Sequence, residues 1–128
     1  MLVPRAEHIK NMQGGYAVAR ISYVELPVAD TGRSKAFYDA AFGWQFVDYG
    51  PSYAATTSGG TDLGLQGDAA EHSAAPLPVI QVDDIDAELA AVERAGGRIT
   101  HPIFAFPGGR RFHFADPDGL ELAVARPD

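Results

Sequence analysis

The sequence predicts an α+β fold in which two tandem βαβββ modules form a curved mixed sheet around a cleft. The start of one helix is repeated, because Val28-Ala29-Asp30 is matched 54 residues later by Val82-Asp83-Asp84. Strand-like segments are repeated as well, because Leu120 to Val124 matches Thr61 to Leu65 at an offset of 59 residues. Two copies of about fifty residues are too few and too long for a solenoid, so we expect two modules that face each other.

The repeat divides the chain into four segments. We expect an N-terminal tail at residues 1–19, a first module at 20–66, a linker at 67–76 and a second module at 77–128. With 128 residues, the chain is long enough to bury one core that both modules share. A cleft between two half-domains is a usual place for a ligand site.

The composition excludes several classes of function. The 17 acidic and 10 basic residues give a net charge of −7, which disfavours nucleic acid and anionic membranes as partners. The chain has no cysteine and therefore offers neither disulfides nor thiolate ligands. No apolar run is long enough to span a bilayer, and no dinucleotide- or phosphate-binding motif is present. We expect a cytoplasmic protein without a cofactor.

The first module is predicted to run from a strand through a helix to three more strands. Ile21 to Val28 alternates with β-branched residues and indicates the first strand. Asp30 can cap the helix, and Gly43 permits a left-handed end. Three apolar side chains at helical spacing should pack on the sheet: Phe37, Ala40 and Ala41. Turn residues separate the other predicted strands, which are Trp44–Tyr49, Tyr53–Thr57 and Asp62–Gln66.

The second module repeats this order after the linker. Its first strand is predicted at Leu77 to Val82 and its helix at Ile85 to Ala95. Three apolar side chains should face the sheet from this helix: Ile85, Leu89 and Val92. Three strands complete the module, at Arg98–Ile103, Arg110–Ala115 and Leu120–Arg126. Because each helix carries one apolar stripe, both helices should lie on the convex side of the sheet.

Several short motifs carry a resemblance to a known family. They are the Val28-Ala29-Asp30 helix start, Ala36-Phe37-Tyr38, Phe42-Gly43-Trp44, Gly96-Gly97, and a Phe-x-Asp-Pro-Asp-Gly segment that begins at Phe114. In combination, over about Arg20 to Arg126, they make the chain similar to the vicinal oxygen chelate superfamily of glyoxalases, bleomycin resistance proteins and dioxygenases. The chain most resembles the subgroup related to lactoylglutathione lyase. The resemblance implies the fold predicted above and a homodimer.

The resemblance also implies four positions for metal ligands. Metal-dependent members hold one divalent cation with His, Gln or Glu side chains from the first and last strand of each module. Here these positions are Tyr23, Gly64, Leu77 and Ala123, and none is a usual ligand. We therefore expect no metal. A shift of two residues would keep the same strand face and offer the carboxylates of Glu25, Asp62 and Glu121 beside Val79.

Strand alternation predicts which side chains line the cleft. A hairpin that turns at Pro117-Asp118 would pair Phe114 with Glu121 and Phe112 with Ala123, so that both rings enter the cleft and His113 points toward the helix. The predicted ligand-binding residues are Tyr23, Glu25, Leu77, Val79, Arg110, Phe112, Phe114 and Glu121. The resulting site is an apolar slot with a few polar groups, as small-molecule sites usually are.

Three functions fit this slot. The first is a metal-independent protein that binds an apolar or aromatic small molecule and sequesters it. The second is a lyase or isomerase of the glyoxalase-like class, with Glu25 or Glu121 as candidate catalytic acid or base. The third is an interaction or regulatory module whose cleft is closed by its own side chains.

Overall fold

The structure, a computed structural model, describes residues 19–128. The predicted tail at 1–19 lies outside the described residues except for Ala19. The described chain forms eight strands and two α-helices in the order β1 (Arg20–Pro27), α1 (Thr31–Phe42), β2 (Val47–Asp48), β3 (Tyr53–Ala55), β4 (Asp62–Gln66), β5 (Leu77–Gln81), α2 (Ile85–Arg94), β6 (Arg98–Phe106), β7 (Gly109–Ala115) and β8 (Glu121–Pro127). A short 3₁₀ helix at Ala69–Glu71 lies between β4 and β5.

All eight strands belong to one mixed sheet with the order β2-β3-β4-β1-β5-β8-β7-β6. Strand β1 runs parallel to β4 and antiparallel to β5, and β5 runs parallel to β8. The prediction of a mixed α+β fold with a curved eight-stranded sheet and two helices is confirmed. The division into two modules joined by a linker at 67–76 stays a prediction. Neither α-helix of the described chain has the length and apolarity needed to cross a membrane.

Helix α1 begins and ends where the sequence predicts. The Asp30 carboxylate accepts a hydrogen bond from the backbone N–H of Arg33 at 3.1 Å, and Gly43 ends the helix in the left-handed region at φ 72°. However, the predicted apolar stripe is wrong, since all three of its side chains are exposed: Phe37, Ala40 and Ala41. A different face of the helix, around Ser34 and Tyr38, is half-buried instead. Lys35 Nζ of this helix also forms an ion pair with Asp48 of β2 at 2.7 Å.

Helix α2 packs on the sheet as predicted. Ile85 is buried in a cluster with Phe112 and Val124, and Leu89 and Val92 pack against the same cluster. Side chains alternate between the two faces of a strand, so Val124 on one face of β8 means that its neighbours point to the other face. The helix-side core and the cleft therefore lie on opposite faces of this half of the sheet.

The β7–β8 hairpin differs by one residue from the predicted register. Ala115 pairs with Glu121, and Phe112 consequently pairs with Val124. The loop holds one more residue than predicted because the Asp116 carboxylate accepts hydrogen bonds from the backbone N–H groups of Asp118 and Leu120, both at 2.9 Å. A shift of one residue exchanges the two faces of a strand.

Candidate functional site

A cleft of about 160 Å³ lies on the face of the sheet opposite α2. Its walls come from β1, β5 and the three strands β6 to β8, and the segment after β4 borders it through Ala70, Glu71, His72 and Ser73. Most of the remaining side chains are polar or charged: Glu25, His101, Arg111, His113 and Glu121. Leu77 and Phe104 supply the apolar part. The cleft is more polar than the sequence predicts.

Five of the eight predicted ligand-binding residues lie on this face. Glu25, Leu77 and Glu121 line the cleft directly. Val79 is buried beside Leu77 in an apolar cluster, and Tyr23 packs against that cluster. Whether these residues bind a ligand stays a prediction.

The other three predicted residues lie on the opposite face, as a consequence of the hairpin register. Phe112 is fully buried in the helix-side core, and Phe114 packs against the same cluster. Arg110 points toward α2, where its Nη2 lies 3.9 Å from Asp86 Oδ2. His113, which the sequence analysis places toward the helix, lines the cleft instead. These four placements were wrong for one reason, the extra residue in the turn.

Arg111 occupies the place in the cleft that the prediction gave to Arg110. Its Nη1 lies 3.6 Å from Glu25 Oε2, and its guanidinium carbon lies 5.3 Å from the ring centroid of Phe104 and 5.6 Å from that of Phe106. The charge is thus paired with a carboxylate and flanked by aromatic faces. A hairpin with the correct register would have revealed Arg111 and His113, because both alternate with Phe112.

His72, in the predicted linker, was also missed by sequence reasoning. Its Nε2 lies 2.8 Å from the carbonyl oxygen of Gln66 and 3.0 Å from that of Val28. These contacts fix the segment after β4 at the edge of the cleft. No local sequence signal points to them, since they join the ends of two different strands.

Tyr23, Tyr53 and Glu25, on strands β1 and β3, form a partly buried polar network. The hydroxyl groups of Tyr23 and Tyr53 are hydrogen-bonded to each other, and the Tyr53 hydroxyl donates to Glu25 Oε2 at 3.1 Å. Burial raises the pKa of Tyr23 to about 12. Burial and the neighbouring Glu25 carboxylate raise the pKa of Tyr53 as well. Both phenols are therefore neutral donors at physiological pH.

The residues present do not fit the metal centre that the family resemblance implies. Ala123 and Leu77 offer no donor atom. A side chain at Gly64 has no room, because an added Cβ would overlap the hydroxyl groups of Tyr23 and Tyr53. The two phenols occupy the space that a ligand from that strand would need.

A different group of potential metal ligands lies within the cleft. His101, His113 and Glu121 place one donor atom each within 4.8 Å of the others, although the sequence analysis expected no metal site. Glu121 Oε2 lies 3.2 Å from His113 Nδ1 and 3.4 Å from His101 Nε2, and it accepts a hydrogen bond from Thr100 Oγ1 at 3.2 Å. Burial and the nearby Arg111 lower the pKa of His113, while Glu121 acts in the opposite direction. The net lowering favours the neutral form of His113.

Comparisons with known proteins agree with the fold. The family model described as Glyoxalase/Bleomycin resistance protein/Dioxygenase superfamily matches residues 20–124. A candidate glyoxylase of Mycobacterium bovis, CFP32, is 29% identical over 122 residues, which cover 80% of this chain and 44% of the relative. The chain thus spans about half the length of this curated relative.

Solved structures show the same architecture. The Mn(II)-bound glyoxalase from Novosphingobium aromaticivorans is 25% identical with a TM-score of 0.61, over 85% of this chain and 40% of that chain. Methylmalonyl-CoA epimerase from Mycobacterium tuberculosis is 17% identical with a TM-score of 0.66, over 84% of this chain and 87% of that chain. The second likeness concerns the fold alone.

Proposed function

Because the chain belongs to the glyoxalase/bleomycin resistance protein/dioxygenase superfamily, we propose that it binds a small molecule in the cleft described above. The cleft, at about 160 Å³, is smaller than the roughly 300–1,000 Å³ of sites for drug-sized ligands. A metabolite with few heavy atoms suits this volume. Binding would not use the family's usual metal centre, since its four positions lack ligands.

The observation that carries this proposal is the placement of Arg111. Arg111 Nε and His113 Nε2 are buried and have no hydrogen-bond partner among the described residues. Buried polar groups without partners are costly, and Arg111 Nε is a donor, so an acceptor group on a ligand would stabilise this part of the cleft. The neighbouring ring of Phe104 offers a flat apolar surface. We therefore expect a ligand with a carboxylate or carbonyl group and a flat or apolar portion.

A second candidate function is a lyase or isomerase, and the position of Glu25 favours it. The residue is only 4% exposed, and its side chain lines the cleft and contacts Tyr53 and Arg111. A fixed carboxylate beside a bound substrate has the chemistry of a general base. The third alternative, a module with a closed cleft, is disfavoured because the cleft retains open volume and polar walls.

A pair of arginines on the same strand tests the binding proposal. A calorimetric screen of small carboxylic acids, aromatic acids and uncharged aromatic compounds should yield a binder. Arg111→Met should then weaken its binding about tenfold or more, as expected for the loss of a hydrogen bond to a charged group. Arg110→Met is the matched control, because Arg110 lies on the opposite face, and it should leave the affinity unchanged.

Two outcomes would contradict this proposal. One is a screen without any binder, and the other is an equal effect of the two arginine variants. Conversion of a binder to product, lost in Glu25→Gln while binding persists, would favour the enzyme over the sequestering protein.

We also propose a homodimer. Large apolar side chains are exposed around α1 and β2, including Phe37 (61%), Phe42 (61%), Trp44 (43%) and Tyr49 (58%). A cluster of exposed aromatic side chains of this kind is typical of a protein interface. Light scattering should give twice the chain mass at micromolar concentration. Phe42→Lys should yield a monomer, and a monomeric unaltered chain would contradict the proposal.

A further inference from the structure

We propose that His101, His113 and Glu121 form a site for a divalent transition-metal ion, with zinc as the natural probe. The site lies on the β6–β7–β8 side of the cleft and uses none of the four positions where the family resemblance places metal ligands. It extends the proposed function, but it does not depend on it, because metal binding can be measured without any organic ligand.

The strand register brings the three side chains together. His101 of β6 lies directly opposite His113 of β7. Across the next pair of strands, His113 lies opposite Ala123, and Glu121 is two residues from Ala123 along β8. Residues two apart in a strand share a face. Three adjacent strands therefore present one donor each to the same region of the cleft.

The distances suit coordination. Donor atoms about 2.1 Å from a tetrahedral ion are about 3.4 Å from one another. The Glu121 Oε2 atom lies 3.2 Å from His113 Nδ1 and 3.4 Å from His101 Nε2. All three donor atoms lie within 4.8 Å of one another, so an ion that replaces these hydrogen bonds would draw the donor atoms closer together.

The types of donor atom indicate which ion would bind and whether the site would keep an open coordination position. Two imidazole nitrogens and one carboxylate oxygen form a ligand set used by zinc in open sites, which keep a fourth position for water or substrate. All three residues line the cleft, so the fourth position would face its interior. Thr100, which donates to Glu121 Oε2, would orient the carboxylate as outer-shell groups do in metal sites.

Charge and access also fit an ion. Arg111, the arginine in the lining of the cleft, is paired with Glu25 and is therefore partly neutralised. The His101 side chain is 58% exposed, whereas the His113 side chain is 9% exposed, so one ligand is anchored in the sheet and the other lies at the entrance. An ion can reach the site without opening the fold.

Calorimetry with zinc chloride and the tag-free chain tests this proposal. We expect one zinc ion per chain. His101→Ala and Glu121→Gln should each weaken zinc binding by at least about tenfold, the lower end of the loss that even an outer-shell change causes. His101 is largely exposed, so its variant should fold. With cobalt(II), the unaltered chain should show the visible absorption bands of a four-coordinate ion, and His101→Ala should lose them.

His72→Ala is the matched control, because His72 also borders the cleft but is held by two backbone carbonyl groups. It should bind zinc as the unaltered chain does. The proposal is overturned by the absence of saturable binding, or by equal losses in His72→Ala and His101→Ala, which would indicate unspecific binding by histidines. If Arg111→Met does not weaken the binding of an organic ligand, the zinc result still stands, because the zinc titration uses no organic ligand.

Discussion

The two halves of the predicted repeat place different side chains around the cleft. Under the 59-residue offset Gln66 corresponds to Ala125, and the sheet pairs Tyr53 with Gln66 and Arg111 with Ala125. Tyr53 and Arg111 are therefore equivalent, and both approach Glu25, at 3.1 and 3.6 Å. In the first half a phenol fills the space, whereas in the second half a charged group borders an open cavity. The shared scaffold fixes the positions, and the side chains decide whether a site remains.

A second equivalent pair shows the same difference. Asp62 corresponds to Glu121 under the same offset, but it ties its own turn by accepting hydrogen bonds from Thr56 Oγ1 and Ser58 N, both at 2.7 Å. Burial would raise the pKa of Asp62, but these hydrogen bonds outweigh it and lower the pKa. Glu121, in contrast, extends into the cleft and contacts two histidines. A carboxylate at one position thus stabilises a loop in the first half and belongs to a site in the second.

The two helices differ in how well they pack on the sheet. Helix α2 buries Ile85 against Phe112, whereas α1 has no buried residue and exposes Phe37. The half with the open cleft therefore has the better packed helix. An apolar stripe in a sequence indicates what a helix can bury, but in α1 the described chain leaves that stripe uncovered.

The largest expected effect tests this difference between the helices. Ile85→Ala removes a side chain that is 1% exposed and should lower the free energy of unfolding by about 2–5 kcal/mol. Phe37→Ala, in the exposed stripe of α1, should change it by no more than about 0.5 kcal/mol. Urea unfolding of both variants in dilute solution measures the two values.

A large loss of unfolding free energy in Phe37→Ala would contradict the conclusion that α1 packs less closely than α2 within one chain. If that loss grew with protein concentration, the α1 surface would be buried between two copies. If it were independent of concentration, the rotation of α1 described above would be wrong.

The next effect concerns two equivalent small residues, Gly64 and Ala123. Gly64→Ala places a methyl group against the hydroxyl groups of Tyr23 and Tyr53 and should lower the free energy of unfolding by about 1–3 kcal/mol. Ala123→Gly, at the equivalent buried position, should lower it by only about 0.5–1 kcal/mol, through loss of packing and greater backbone freedom. Thermal unfolding of both variants measures the difference.

The phenol groups can be removed to check the cause. In a chain that carries both Tyr23→Phe and Tyr53→Phe, the added methyl group at Gly64 no longer meets a hydroxyl, and its penalty should shrink markedly. An unchanged penalty would show that the backbone, and not the tyrosine pair, restricts this position.

Local rules were sufficient for much of the fold. The cap at Asp30, the left-handed end at Gly43 and the inward face of α2 at Ile85 and Leu89 all follow from contacts within a few residues. The residues that line the cleft could be predicted only through the register of the β7–β8 hairpin. In β7, aromatic and polar residues alternate clearly, but one added residue in the turn decides which set faces the cleft.

The apolar face of α2 could have shown which set of β7 side chains faces the cleft. Two aromatic side chains, Phe112 and Phe114, complete the apolar core beneath an apolar helix face, while Arg111 and His113 suit a solvated cleft. The contacts of His72 were beyond sequence reasoning, because they depend on how the segment after β4 folds back over the sheet.

The last effect concerns pH and separates the tyrosine network from the open half of the cleft. Burial raises the pKa of Tyr23 to about 12 and also raises that of Tyr53, whereas both phenols titrate near 10 in the unfolded chain. The folded state therefore favours the protonated phenols. Their contribution to stability is complete below about pH 10 and is lost as the pH rises toward 12 and above.

Urea unfolding between neutral pH and pH 11 should accordingly show a decline above pH 10, and Tyr53→Phe should flatten it. The matched control is Tyr38→Phe, because Tyr38 stacks on Trp44 at 5.7 Å, away from the cleft. This control should keep the decline of the unaltered chain. If Tyr38→Phe flattened the curve and Tyr53→Phe did not, the partly buried network of Tyr23, Tyr53 and Glu25 would not cause the decline in stability. The closed half of the cleft would then need another explanation.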